Sequence, residues 1–209
     1  MPTRESRALV NKNIIARIGN YRQSYGVNNF LRKLIFEGIT IFNKINIRKL
    51  KSWLFFKSSN LRLGKNVIVN GLINSISIGK DNHYYENCIF HFHPNARFQT
   101  GDHVILSYHV LIACNYRISI GDHVMVGEYS SIRDSTHDYR ADVPMINAQN
   151  IEREVVIGNN VWIGRGCLIT EGTVIEDGVV LAANSVAKGR LLSNQIYGGC
   201  PARLIKSRV

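Results

Sequence analysis

The chain has 209 residues, 45% of them hydrophobic and 20% charged, a composition typical of a soluble globular protein with one large domain or two small ones. Its formal net charge of +11 lies almost wholly in residues 1–60, which hold 12 Lys and Arg against 2 Asp and Glu. There is no uncharged apolar run near the roughly 20 residues of a membrane span, no apolar signal core and no CxxC pair, so we expect a cytoplasmic protein with reduced thiols.

The basic N-terminal segment, residues 1–58, is predicted to be partly helical. Between residues 28 and 56, apolar side chains recur at helical spacings, with Arg32, Lys33 and Lys44 off the apolar stripe. We expect this helix to cap the domain that follows, and peripheral contact with the inner face of the cytoplasmic membrane stays open as an addition. Nucleic acid is not an expected partner, because the basic charge is confined to this segment and no recognised motif accompanies it.

Residues 59–195 contain a repeat of six. Written in sixes from Thr100 and again from Ile157, eleven hexads begin with Ile, Leu or Val ten times and have Val, Ser, Thr or Cys fifth ten times. A period of six fits neither an α-helix nor a two-faced strand, and an ordinary β-sandwich would alternate with period two. The pattern predicts a mainly β fold, a left-handed parallel β-helix. The first and fifth residues of each hexad should point inward, and the Gly at position two should relieve crowding at a corner.

The spacing of the glycines locates one interruption. From Gly101 to Gly121 is 20 residues, whereas from Gly121 to Gly158 is 37. We predict a loop over residues 138–156, extruded immediately after His137, and a C-terminal tail over residues 196–209. Loops extruded from repeat scaffolds commonly shape binding surfaces.

Three segments resemble the bacterial hexapeptide-repeat acyltransferases, with the closest likeness to the maltose and galactoside O-acetyltransferase group. They are IGDHVMVGEYSSIRDSTH ending on His137, VVIGNNVWIG (Val155–Gly164) and IYGGCPARLIK (Ile196–Lys206). The resemblance spans roughly residues 97–206. It implies transfer of an acyl group, usually acetyl, from a coenzyme A thioester to a hydroxyl or amine. It also implies a homotrimer with active sites between neighbouring solenoids.

The resemblance assigns roles to particular residues. His137 is the implied general base, since neutral imidazole can remove a hydroxyl proton near pH 7. A row of small residues would let the pantetheine arm of acetyl-CoA lie along the coils, and cations near the C-terminus would meet its phosphates. For Trp162, a purely structural role at a trimer contact also stays open. The implied acetyl-CoA-binding residues are Trp162, Gly164, Arg165, Ala182, Lys188, Arg203 and Lys206.

On the acceptor side the chain departs from the sugar acetyltransferases. Ser107 stands where they have an Asn, and Cys114, with Asn115 beside it, stands where they have an Asp. Ser107, Asn115 and Tyr139 are the candidate acceptor-binding residues, and Cys114 is expected to be buried. No metal is expected, because no two histidines are five residues apart, as they are in the related β-helix carbonic anhydrases.

These features predict an acetyl-CoA-dependent O-acetyltransferase acting on a sugar hydroxyl. The acceptor would belong to a surface polysaccharide (capsule, lipopolysaccharide or exopolysaccharide) or to a lipid-linked precursor. Two enzymatic alternatives remain open, an N-acetyltransferase on an amino sugar and an antibiotic-modifying acetyltransferase. A non-catalytic, trimeric β-helix assembly module is the alternative from another class.

Overall fold

A computed structural model describes residues 47–58 and 60–208. The chain divides into two units, Met1–Ile47 and Arg48–Val209. The apolar stripe predicted between residues 28 and 46 lies outside the described residues.

A short helix, α1 (Ile47–Phe56), precedes the solenoid. The ring of Phe56 packs edge-on against Tyr84 and Phe90, with ring centroids 5.6 and 5.0 Å apart. Trp53, by contrast, is 63% exposed. This last turn of the predicted N-terminal segment therefore covers the apolar interior at the first coils. No helix in the described part of the chain has the length and apolar character that crossing a membrane requires.

Three sheets of parallel strands form the three sides of the solenoid, and the chain passes through sheets A, B and C in turn. Sheet A contains, in order, β1 (Arg62–Leu63), β4 (His83–Tyr84), β7 (Ile105–Leu106), β10 (Met125–Val126), β15 (Trp162–Ile163), β18 (Val180–Leu181), β21 (Gln195–Gly199) and β22 (Ala202–Ser207). Sheet B contains β2 (Ile68–Asn70), β5 (Ile89–Phe92), β8 (Leu111–Cys114), β11 (Ser131–Arg133), β16 (Leu168–Ile169) and β19 (Val186–Ala187). Sheet C contains β3 (Ser75–Ile78), β6 (Arg97–Thr100), β9 (Arg117–Ile120), β14 (Val155–Ile157), β17 (Val174–Ile175) and β20 (Arg190–Leu191). The prediction of a parallel β-helix is confirmed.

The interior follows the hexad pattern. First and fifth residues, such as Leu106 and Val110, are fully buried. Tyr116, which departs from the pattern, is exposed. The prediction that Thr136 points inward is wrong, because the chain has already left the coil at the buried Asp134 and Thr136 lies on an exposed strand.

The repeated glycines are explained by the approach of the next coil. Gly101 and Gly121 do not adopt a positive φ, so they are not required for a left-handed turn. A Cβ on Gly101 would meet the Asp122 carboxylate and would lie 2.9 Å from the Asp122 nitrogen. That carboxylate accepts the backbone N–H of Asp102 at 2.7 Å. The crowding expected at this corner is therefore real, and its cause is the side-chain oxygen and backbone of the next coil, Asp122 beside Gly101 and Asn159 beside Gly121.

Three of the exposed histidines lie in the left-handed region of the backbone. His103, His109 and His123 have φ of 57, 58 and 57°, and His is among the residues that tolerate this conformation. The rings of His103 and His123 stack with centroids 4.9 Å apart. Within residues 47–58 and 60–208, no three His, Cys, Asp or Glu side chains converge as a metal site would require.

The interruption is an antiparallel hairpin. Strand β12 (Ser135–His137) pairs with β13 (Asn150–Glu152), and His137 lies opposite Asn150. The predicted extrusion is present, but it differs from a loop over residues 138–156 in its bounds and in its internal strands. The excursion begins before His137, and its predicted range includes β13 and the first two residues of β14.

The C-terminal residues form a strand pair. β21 adds a further parallel strand to sheet A, and β22 then returns antiparallel to it. The peptide bond between Cys200 and Pro201, in the turn between them, is cis.

Candidate active site

The sheets meet at corners, and the predicted site residues occupy two of them. The AB corner follows the strands of sheet A, and each coil adds one residue to a column stacked along it. The backbone N–H of each column member donates to a carbonyl of the next coil. The members of this AB column are Tyr85, Ser107, Gly127, Gly164 and Ala182. The BC corner follows the strands of sheet B and contains Asn115, Asp134, the β12–β13 hairpin and Lys188.

His137 lies at the end of β12 and is exposed. Its backbone is held by pairing with Asn150, and the hairpin's root is held by a hydrogen bond from the Arg153 N–H to the Asp134 carbonyl, 2.8 Å long. The imidazole of His137 makes no hydrogen bond or ion pair with another described residue. A fixed backbone with an unengaged imidazole suits a group that must take up a proton.

Asp134 is a structural residue of the site that the sequence patterns did not identify. Its carboxylate is fully buried and accepts the backbone N–H groups of Asn115 and Tyr116, each at 2.8 Å. Burial, and then the charge of Asp134, raises the pKa of the neighbouring Cys114 thiol. The signal in the sequence was a lone acidic residue at the third position of the hexad that precedes the interruption.

The candidate donor residues in sheet A form an open surface. Trp162, 52% exposed, lies opposite Met125 on one side and Val180 on the other. Beside it, the AB column has no large side chain at Gly164 or Ala182. A Cβ on Gly164 would lie 2.6 Å from the nitrogen of Ala183, so this position must stay small.

Three candidate cations differ in their engagement. Arg165 pairs with Glu128 at 3.3 Å, and their side chains are 62% and 38% exposed. Arg203 and Lys206 are exposed on β22, and neither has an acidic partner among the described residues. Arg203 and Lys206 are therefore the cations of this group that are free to meet phosphate.

The structure thus separates the predicted residues into two groups. Those on sheet A and its AB corner are Ser107, Trp162, Gly164, Arg165, Ala182, Arg203 and Lys206. Those at the BC corner and on its hairpin are Asn115, His137, Tyr139 and Lys188. Lys188, assigned with the donor residues, therefore lies with the candidate base, and Tyr139 is 69% exposed between β12 and β13.

Comparison with known proteins gives a family match. Residues 154–189 match the model described as bacterial transferase hexapeptide (six repeats). The Escherichia coli K12 protein named "Putative lipopolysaccharide biosynthesis O-acetyl transferase WbbJ" is 33% identical over 114 residues, which cover 50% of this chain and 58% of WbbJ. Galactoside O-acetyltransferase of the same strain is 26% identical over 116 residues, covering 56% and 57%. The chain spans little more than half of these relatives.

Among solved structures, a point mutant of the N-acyltransferase AntD from Bacillus cereus, in complex with dTDP and coenzyme A, superposes with a TM-score of 0.63 at 22% identity. The match covers 72% of this chain and 81% of AntD. Fold and repeat together define a class, the hexapeptide-repeat β-helix proteins, and the resemblance to the hexapeptide-repeat acyltransferases is confirmed. Within that class, both matched relatives from Escherichia coli carry the name of an O-acetyltransferase.

Proposed function

We propose that the protein is an acetyl-CoA-dependent O-acetyltransferase that modifies a sugar hydroxyl, with His137 as the general base. The observation that carries this proposal is the unengaged, exposed imidazole of His137 on a hairpin rooted in the buried Asp134. The names of WbbJ and galactoside O-acetyltransferase favour a hydroxyl over an amine as the acceptor, and WbbJ favours a surface polysaccharide.

The reaction requires one base and one oxyanion donor. The His137 imidazole takes the proton of the acceptor hydroxyl while the oxygen attacks the thioester carbonyl, and the oxyanion that forms accepts a hydrogen bond from a backbone N–H. Collapse breaks the carbon–sulfur bond, and the imidazolium returns its proton to the departing thiolate. General-base assistance of this kind is typically worth about 10²–10⁴-fold in rate.

The residues of sheet A fit the acetyl-CoA co-substrate. Trp162 supplies an exposed wall, and the small residues Gly164 and Ala182 leave a path for an extended chain along the AB corner. Arg203 and Lys206 then supply free cations for the phosphates.

The separation of the two groups supports a homotrimer. His137 belongs to the BC corner, whereas the donor wall belongs to sheet A, so one chain does not bring them together. In a ring of three copies, the BC corner of one chain would face the AB corner of the next, and each interface would hold one site. Lys188 would then reach the donor from the same side as His137.

Acetyl transfer to a panel of acceptors tests the proposal. The purified protein is incubated with acetyl-CoA and neutral sugars, amino sugars or a macrolide, and the products are identified by mass spectrometry. Acetylation of a sugar hydroxyl is expected. Modification of amines alone would make the protein an N-acetyltransferase. A folded trimer that neither binds acetyl-CoA nor transfers acetyl would indicate the assembly module instead.

A further inference from the structure

The outer face of sheet C carries an open depression of about 360 Å³, whose lining contains none of the residues assigned above to the base, the donor or the acceptor. Its lining is mostly polar and comes from β3, β6, β9 and the residue before β14. The lining residues are Ser75, Ile76, Ser77, Arg97, Phe98, Gln99, Arg117, Ser119 and Glu154.

Two arginines in this depression lie directly opposite each other. Arg97 on β6 is in register with Arg117 on β9, and adjacent strands are about 4.8 Å apart. Like charges in such a cross-strand position destabilise a sheet. An anion that bound both guanidinium groups would remove this repulsion.

One of the two charges has no counterion in the part of the chain that the structure describes. Arg117 pairs with Glu154 at 3.6 Å and lies 5.7 Å from the centre of the Tyr116 ring. The side chain of Arg97 has no hydrogen bond or ion pair with any described residue, and it is exposed. With Glu154 as the single acidic group in the lining, the depression carries a net charge of +1.

The remaining polar groups are hydrogen-bonding side chains suited to an oxygen-rich ligand. Guanidinium groups bind phosphate and carboxylate in a bidentate manner, and a pair of them can clamp one oxyanion. Around the pair, the Ser75, Ser77 and Ser119 hydroxyls and the Gln99 amide could bond to sugar or phosphate oxygens. Ser75 lies opposite Arg97 on the neighbouring strand, so a hydroxyl borders the unpaired cation.

The depression also borders the hairpin that presents His137. Glu154, in its lining, follows β13 by two residues, and β13 pairs with β12 through Asn150 and His137. The four residue-to-residue steps from Asn150 to Glu154 span at most about 14 Å of extended chain. A ligand fixed at Arg97 could thus extend toward the hairpin.

We propose that the Arg97–Arg117 depression binds the phosphate or carboxylate of an anionic saccharide acceptor. The acceptor role rests on the proposed function, whereas the oxyanion site itself rests on the geometry of sheet C. The shared chemistry is an oxyanion on a sugar, either a sugar phosphate or a uronic acid.

Calorimetric titration without acetyl-CoA tests the site. Inorganic pyrophosphate stands for a phosphate-bearing acceptor and sodium glucuronate for a carboxylate-bearing one, and the tighter binder identifies the source. For that ligand, Arg97→Gln is expected to weaken binding about ten- to hundredfold, because a charge-assisted pair is lost. Arg97→Lys keeps the positive charge but cannot bind an oxyanion in a bidentate manner, so its affinity should lie between those of the wild type and Arg97→Gln. Arg62→Gln, which removes an exposed arginine on sheet A, is the matched control.

Three results would overturn the site. The first is that the wild type binds neither anion. The second is that Arg97→Gln and Arg62→Gln weaken anion binding equally. The third is that Arg97→Gln changes the oligomeric state and that this change explains the lost affinity. Steady-state kinetics distinguish a failure of the oxyanion site from a failure of the proposed acetyltransferase function. Arg97→Gln should raise KM for an anionic acceptor about ten- to hundredfold and should raise KM for a neutral acceptor less. Binding that depends on Arg97 without acetyl transfer would retain the oxyanion site and reject the transferase.

Discussion

The Oδ1 atom of Asp134 lies 2.8 Å from the backbone nitrogen of Asn115, which belongs to the preceding coil. The Oδ2 atom accepts the next N–H, that of Tyr116, at the same distance. A fully buried anion is thus satisfied by two backbone donors at the corner where the hairpin leaves the solenoid. The arrangement ties the position of the His137 hairpin to the turn beneath it.

Replacing Asp134 should destabilise the fold. Asp134→Ala leaves two N–H groups without an acceptor, and we expect it to lower the free energy of unfolding by about 3 kcal/mol or more. Asp134→Asn keeps one acceptor oxygen and should lower the free energy of unfolding by less. Urea denaturation measures both changes. The control is Asp122→Ala, because Asp122 is exposed and accepts one N–H, and a loss as large as that of Asp134→Ala would contradict the argument.

His137→Ala should lower kcat without affecting the fold. We expect a loss of about 10²–10⁴-fold in the rate of acetyl transfer, since the acceptor hydroxyl then lacks its base. The exposed position of His137 predicts an unchanged thermal midpoint. His103→Asn is the matched control, because His103 is also exposed and Asn tolerates its φ of 57°. Full activity in His137→Ala would reject the assignment.

Gly121→Ala should be costly because of its neighbour in the next coil. The new Cβ would lie 2.5 Å from the Asn159 Oδ1 and 2.8 Å from the Gly158 backbone, so the coils would have to separate. We expect a loss of about 3 kcal/mol in unfolding free energy. Gly189→Ala is the control, since its Cβ meets nothing within 4 Å and only its φ of +77° is strained, costing about 1–2 kcal/mol. A loss in Gly121→Ala no larger than that in Gly189→Ala would contradict the view that contact with the next coil requires glycine at position 121.

Thiol labelling should distinguish Cys200 from the other three cysteines. Cys200 is exposed, whereas burial raises the pKa of Cys88 to about 11 and raises that of Cys167 and Cys114. At pH 8 the buried groups stay protonated and shielded, so we expect one fast-reacting thiol in the native protein and four after denaturation.

The same thiol reports on the donor site. Cys200 lies three residues before Arg203, so acetyl-CoA bound to β22 should slow its labelling. Arg203→Gln should reduce that protection. Unchanged labelling in the presence of saturating acetyl-CoA would place the donor elsewhere.

The hexad pattern predicted most of the fold because each inward position depends on its own residue type. Leu106 and Val110 are aliphatic at positions one and five, and both are buried. The pattern failed at Thr136, where a permitted residue type occupies the fifth position of a hexad that the chain does not complete. Antiparallel pairing within the excursion depends on backbone hydrogen bonds between Ser135–His137 and Asn150–Glu152. Such bonds do not require a repeating pattern of side chains, so the hexad analysis could not detect them.

The site was less accessible to prediction. Chain order placed His137 next to the interruption, but the separation of Lys188 from Arg203 depends on their places in the sheets, after β19 of sheet B and on β22 of sheet A. Asp134 was missed because a buried acid that bonds to backbone groups resembles any polar turn residue in sequence. The pairing of Arg97 with Arg117 likewise follows from inter-strand register, which the printed sequence alone did not suggest.

The antiparallel return of β22 changes the edge that the last coil presents. A β-helix presents unpaired backbone groups at its last coil, and such edges can template end-to-end growth into fibres. Here β22 occupies the C-terminal edge of sheet A with a strand of opposite direction, and sheets B and C end in the two-residue strands β19 and β20. A second solenoid that met this edge would find an antiparallel strand and two short strands instead of a continuous parallel edge.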